Sequence, residues 1–198
     1  MLRESVLSEA QTGPELRLVG DLAVWLIILA ELLAFGIFFL SYAFARTFEV
    51  ALFNVSQSTL DLNSGAINTA LLITGSWCVV RAVQAIKRDA SGMSARWQLA
   101  ALACGSGFVV IKWLEFSAKA DAGLDLSSNT FYMFYFLLTG FHFLHVLAAM
   151  VFLTILLVKT RAGHYGSHDH HALESGAAFW HMVDLLWIVL FPLVYVMH

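Results

Sequence analysis

"TGFHFLHVLAAMVFL", residues 139–153, is apolar enough to lie in lipid, yet it carries His142 and His145 three positions apart. Crossing about 30 Å of hydrocarbon takes about 20 predominantly apolar residues in a helix. The run containing this stretch, 129–158, meets that length, so it reads as a transmembrane helix. The histidines then pose the functional question. Metal ligands, a proton path and a polar seam gripping a partner are the three openings.

Working outward, four more runs qualify, giving spans at about 21–45, 65–87, 97–118, 129–158 and 175–197. Across the chain's 198 residues, 60% are hydrophobic and 13% charged, against about half and a quarter in soluble domains. Such a composition cannot supply the polar envelope of a soluble helical protein. The fold class is therefore all-α: a polytopic membrane bundle of five transmembrane helices, forming one domain over 21–198 behind a polar tail, 1–20. "NVSQSTLDLNSG", "KRDASGMSAR", "KADAGLDLSSN" and "KTRAGHYGSHDHHALESG" have turn-forming composition and separate the spans. Arg3, Glu4, Glu9, Glu15 and Arg17 leave no room for a cleavable signal peptide in 1–20, so the first span acts as the insertion signal. Trp25, Trp97, Trp180 and Tyr195 lie toward span ends, where an interfacial aromatic belt sits.

Cationic residues orient the bundle. Arg3, Arg17, Lys87, Arg88, Arg96, Lys159 and Arg161 fall on one side and Arg46 and Lys119 on the other. That asymmetry places the N-terminus in the cytoplasm and, after five spans, the C-terminus in the periplasm.

Ionisable groups within spans are costly and mark functional or partner-contact sites. They are Glu31, Arg81, Lys112, Glu115, His142, His145, His181 and Asp184. Counting about 1.5 Å per residue puts Glu31, His145, His181 and Asp184 about 10–18 Å from the cytoplasmic ends, close enough to share one layer. Residues three apart share a helix face, so Lys112 and Glu115 can neutralise each other within one helix. The His/Asp/Glu layer admits four readings: an interhelical hydrogen-bond network, a haem or metal ligated by His145 and His181, a proton relay through Glu31, His145 and Asp184, or contact with lipid head groups or a neighbouring subunit. Ala30/Ala34, Ala101/Gly105 and Ala103/Gly107 are small pairs that let helices approach closely. His164, His168, His170 and His171 form a histidine-rich loop, read as solvated rather than metal-binding. Cys78 and Cys104 lie in apolar runs with no zinc or Cys-x-x-Cys spacing. No basic nucleic-acid surface, phosphate loop or aqueous Ser/His/Asp triad is visible.

The long motifs resemble subunit III of the haem–copper respiratory oxidases. "TGFHFLHVLAAMVFL" looks like its Gly-x-His-x-x-His-Val helix. "FWHMVDLLWIVLFPLVYVMH" resembles its closing helix, with Trp180, His181, Asp184 and Trp187 in the Trp-His-x-x-Asp-x-x-Trp pattern. Glu31 matches the buried glutamate of an early family helix, and "KWLEF" the Lys-x-x-Glu segment. The resemblance implies an accessory role with no catalytic, cofactor-binding or metal residue in this chain. Haem and metal would sit in the catalytic subunit of a haem–copper enzyme, with membrane phospholipid held between helix groups. Longer relatives have seven helices. Five occur in quinol-oxidase versions and in a branch associated with bacterial nitric oxide reductase, to which "FYMFYFLLTGFHFLH" and "HMVDLLWIVLFPLVY" look closest. A bacterial inner-membrane location follows from the same likeness.

Overall fold

The structure is a computed structural model, and it describes residues 22–167 and 169–197. The expected tail, 1–20, and His168 lie outside the described residues. Six α-helices follow in order: α1 (Leu22–Phe48), α2 (Val50–Gln57), α3 (Leu62–Ile86), α4 (Ser91–Asp121), α5 (Thr130–Arg161) and α6 (His171–Phe191). A π-helical turn, Pro192–Val196, extends α6. The described residues contain no strand. All of these helices except α2 are long and apolar enough to cross a bilayer, as expected.

Their packing follows from spacing. Buried positions of α3 include Gly65, Asn68, Leu72, Gly75, Val79, Ala82 and Ile86, alternating three and four apart. Ser94, Gln98, Ala101, Gly105, Phe108 and Lys112 repeat the pattern along α4. A 3–4 repeat presents one seam to a neighbour at a shallow crossing angle, as in coiled coils. Gly75 and Gly105 make the close approach possible. A Cβ on Gly75 would sit 3.3 Å from the Cys104 Cβ, and one on Gly105 would meet both Trp180 and Met150. The pairs around Gly105 and Gly107 thus serve packing within this chain. α5 packs on α4, and α6 lies against α1, α3 and α5. α1 is peripheral, burying only Ile28, Phe35 and Tyr42, one residue per seven.

The helices overrun their expected ends by a few residues, because polar residues at the termini continue the helix out of the apolar core. α2 was not foreseen. Its Asn54–Gln57 lie in the stretch read as turn, and the order comes from Phe53, packed 5.3 Å from Tyr42 and 5.6 Å from Phe131, ring centre to ring centre.

Helix starts are chemically marked. Asp61 caps α3, accepting from the Asn63 N–H at 3.0 Å and from the Ser64 hydroxyl, as N-cap carboxylates do. Asn129 caps α5 by accepting from the Tyr132 N–H at 2.9 Å. The Ser64 hydroxyl and the Asn63 and Ser64 amides hold the Asp61 carboxyl below its ordinary value of 3.8. A depressed carboxyl contributes stability above the unfolded value and loses it as pH falls through the folded one. Exchange at the Asn63 and Ser64 amides, corrected for intrinsic rates, should therefore accelerate as pH drops below about 3.8. Asp61→Asn should abolish that dependence.

Close contact also disciplines the start of α3. A Cβ on Gly65 would come 2.5 Å from the Phe191 ring and 3.3 Å from Tyr195. Gly65→Ala should cost about 1–3 kcal/mol through overpacking, seen as a lower unfolding midpoint in detergent. An unchanged midpoint would show that Phe191 yields freely.

Candidate functional site

The ionisable residues at membrane depth resolve into separate groups rather than one layer. The most complete is built on α4. Lys112 is fully buried, and its ammonium donates to Glu115 Oε2 at 3.0 Å, to the Tyr195 hydroxyl at 2.5 Å and to the Tyr135 hydroxyl at 3.4 Å. Both phenols donate onward to Glu115 Oε1, each at 2.6 Å. The ammonium also lies 4.9–5.5 Å from the ring centres of Phe116, Tyr135, Tyr195 and Trp187, within cation–π range. One charge pair is thus closed inside an aromatic box. The expected neutralisation of Lys112 by Glu115 is present. Its two tyrosines were missed, because a phenol in an apolar run scores as a belt or core residue and gives no signal for a contact across the bundle.

The second group joins α1 to α5. His145 Nε2 lies 3.1 Å from Glu31 Oε2, while Nδ1 lies 2.7 Å from the Phe141 carbonyl. A carbonyl only accepts, so Nδ1 carries a proton. Phe35 and Phe141 enclose the ring at 5.4 and 4.8 Å. This pair can pass a proton across one hydrogen bond.

The third group lies between α3 and α6. His181 Nδ1 meets the Ser76 hydroxyl at 2.5 Å, and the same hydroxyl faces the buried Asp184 carboxyl. His181 and Glu174 also line a cavity of about 350 Å3, at which Lys87 pairs with Glu174 at 2.6 Å.

The motif reading that places His142 with His145 in a polar seam paired with Glu31, His181 and Asp184 is corrected: His142 does not join that seam. It is fully buried, neither ring nitrogen has a hydrogen-bond partner, and it packs against Phe108 at 5.6 Å and Trp187 at 5.1 Å. Similar depth brought Glu31, His145, His181 and Asp184 together on paper, but azimuth around each helix separates the Glu31–His145 pair from His181 and Asp184. Arg81, read as close to the inner surface, is exposed, with its guanidinium 5.9 Å from the Trp77 ring centre and 5.6 Å from that of Trp97.

Further interhelical bonds were not anticipated. The Trp187 indole N–H donates to Thr69 at 3.0 Å, and Gln98 Nε2 donates to Thr160 at 3.0 Å. Both join neutral side chains, which an inventory of charges passes over. Among the described residues, no three His, Cys, Asp or Glu side chains converge as metal ligands would. His145 and His181 belong to different groups with different partners.

The arrangement fits what similarity shows. The family description "Cytochrome c oxidase subunit III" matches residues 17–198. "Cytochrome c oxidase subunit 3" of Thermostichus vulcanus is 30% identical over 192 residues, 96% of this chain and 92% of that protein. The Synechocystis protein of the same name is 30% identical over 185 residues, 93% of this chain and 77% of that one. "Heme-copper oxidase subunit I+III" of Aeropyrum pernix is 31% identical over 179 residues, covering 87% of this chain but 22% of that longer protein. With the family match and these relatives covering nearly the whole length, the chain belongs to the cytochrome c oxidase subunit III family.

Proposed function

We propose that this protein is a non-catalytic accessory subunit of a haem–copper respiratory enzyme, seated in a bacterial cytoplasmic membrane beside the catalytic subunit. The observation that carries the reading is the use made of the polar residues. Lys112 and Glu115 are tied to Tyr135 of α5 and to Tyr195 beyond α6, and Glu31 to His145 of α5, so these groups hold helices in register rather than receive a substrate. Interhelical bonds of this kind are worth about 0.6–2 kcal/mol each and fix geometry more than they add stability. Haem and metal belong to the partner. The Aeropyrum pernix relative, named for subunits I and III together, supports pairing with a subunit I.

Within that class the partner is a nitric oxide reductase, on the likeness of "FYMFYFLLTGFHFLH" and "HMVDLLWIVLFPLVY" to the five-helix branch. An oxygen-reducing cytochrome c oxidase is the second reading, favoured by the relatives' names. The bundle covers a flank of the catalytic subunit, orders lipid there, and prolongs its working lifetime. The N-terminus is cytoplasmic and the C-terminus periplasmic, from the distribution of lysine and arginine.

Affinity capture of the tagged chain from native membranes in mild detergent tests this. A co-eluting haem-bearing subunit is expected, with nitric oxide consumption in the eluate. Oxygen consumption without nitric oxide turnover would select the second reading. A Soret band from the isolated chain would overturn both.

A further inference from the structure

Two contacts join α3 to α6: the Lys87–Glu174 ion pair near the cytoplasmic end and the Ser76–His181 contact deeper in the span. Between them lies the cavity of about 350 Å3, inside the range of about 300–1,000 Å3 typical of small-ligand sites. Val80 and Val83 line it from α3, and Ala177 and Ala178 from α6, where their small side chains leave room. Glu174 and His181 are seven positions apart, so they share one face of α6 about 10 Å apart along its axis. The cavity thus has a polar pole at each end and an apolar strip between. At the deep pole, His181 engages Ser76 through Nδ1, which leaves Nε2 for a ligand. At the rim, the Lys87 ammonium meets Glu174 Oε1 at 2.6 Å, while Oε2 lies 3.7 Å from His171 Nδ1, beyond hydrogen-bond length. The charges of Lys87 and Glu174 cancel, so the lining favours a neutral head group over a phosphate or a free carboxylate.

We propose that this cavity binds the head group of a membrane-soluble hydroquinone, a flat neutral ring with hydroxyls at two opposite positions. The two oxygens of such a ring stand about 5 Å apart, and a hydrogen bond of about 2.8 Å at each end brings the span to about 10–11 Å. That matches the separation of the two poles. One hydroxyl donates to His181 Nε2 and the other to the Glu174 carboxylate, with Lys87 donating to the same oxygen. The ring rests on Ala177 and Ala178 against Val80 and Val83. Val80 is 38% exposed, so a tail on the ring leaves past it into the acyl region. A plain hydrocarbon chain could fill the strip but would use neither pole. The inference concerns binding alone, assigns no electron transfer, and does not depend on which enzyme the chain accompanies.

The test uses the full chain purified in detergent and titrated anaerobically with a short-tailed benzoquinol, bound ligand being separated by ultrafiltration and counted by chromatography. Saturable binding of one quinol per chain is expected. The dimethyl ether of the same quinol keeps the ring but neither hydroxyl proton, and it should bind about 5–100-fold more weakly for want of two hydrogen bonds. His181→Leu should weaken quinol binding about 3–10-fold and shrink the advantage over the ether. Ala178→Leu fills the cavity, leaves both poles in place, and should weaken binding at least about tenfold. Ala118→Leu, in the cavity of about 620 Å3 at the other end of the bundle, should leave it unchanged. The quinol–ether comparison needs no substitution, so it decides the matter even if a variant fails to fold. Absence of saturable binding, equal affinity for quinol and ether, or equal effects of Ala178→Leu and Ala118→Leu would overturn the proposal. So would displacement of the quinol by an equal concentration of phosphatidylcholine, which would make the cavity a general acyl groove. Co-purification with a haem-bearing subunit is read separately, so failure here and failure of the accessory role are told apart.

Discussion

Replacing Lys112 by methionine is expected to lower stability by about 3–5 kcal/mol, the cost of breaking a buried ion pair by removing one partner. The carboxylate of Glu115 is 8% exposed and receives the Lys112 ammonium and two phenols. Without the ammonium, the phenols still donate, but a buried negative charge is left with no countercharge in the box. For a chain of this size that loss corresponds to about 6–20 °C in the unfolding midpoint, measurable by circular dichroism in detergent. Glu115→Gln should cost a similar amount, because it strands the opposite charge. The decisive variant is the double one. Lys112→Met with Glu115→Gln removes both charges and should recover at least half of either single loss, since a buried pair contributes far less than the penalty for splitting it. Losses that simply add would show that the two residues act independently and that the box has no electrostatic core.

The fold was legible because lipid simplifies the problem. A span must be long and apolar, so five spans emerged from length alone, and each is a helix within a few residues of its expected bounds. What escaped was small and tertiary. α2 forms because Phe53 finds Tyr42 and Phe131, contacts that no local pattern announces. The site was legible as a set of residues but not as an arrangement. Rise per residue gives depth, which is why Glu31 and His145 were placed at compatible heights and do meet. Depth says nothing of azimuth, so the same count wrongly grouped His181 and Asp184 with them. The 3–4 burial repeat settles azimuth when it is followed. His142 is four residues before the buried Val146 and falls on the inward seam of α5, whereas His145 lies beside that seam, its side chain 12% exposed and paired with Glu31 of α1.

Trp187→Ala should match the Lys112 change in size, at about 3–5 kcal/mol for a fully buried large aromatic. The indole is wholly enclosed. Phe108 meets it edge to face at 5.0 Å, His142 lies at 5.1 Å, and its N–H donates to Thr69 at 3.0 Å. It is also one wall of the box around the Lys112 ammonium. Thr69→Val leaves the indole in place but its donor unmet, which should cost about 1–3 kcal/mol. The ordering separates volume from hydrogen bonding, and equal losses for Trp187→Ala and Thr69→Val would reverse it. Because Trp187 touches both His142 and the Lys112 box, its loss should not be independent of theirs. Combining Trp187→Ala with Lys112→Met should depart from additivity by at least about 0.5 kcal/mol. Strict additivity would mean that the closing helix and the α4 charge pair are separate features of the bundle, and that Trp187 does not link the histidine of α5 to the ion pair of α4.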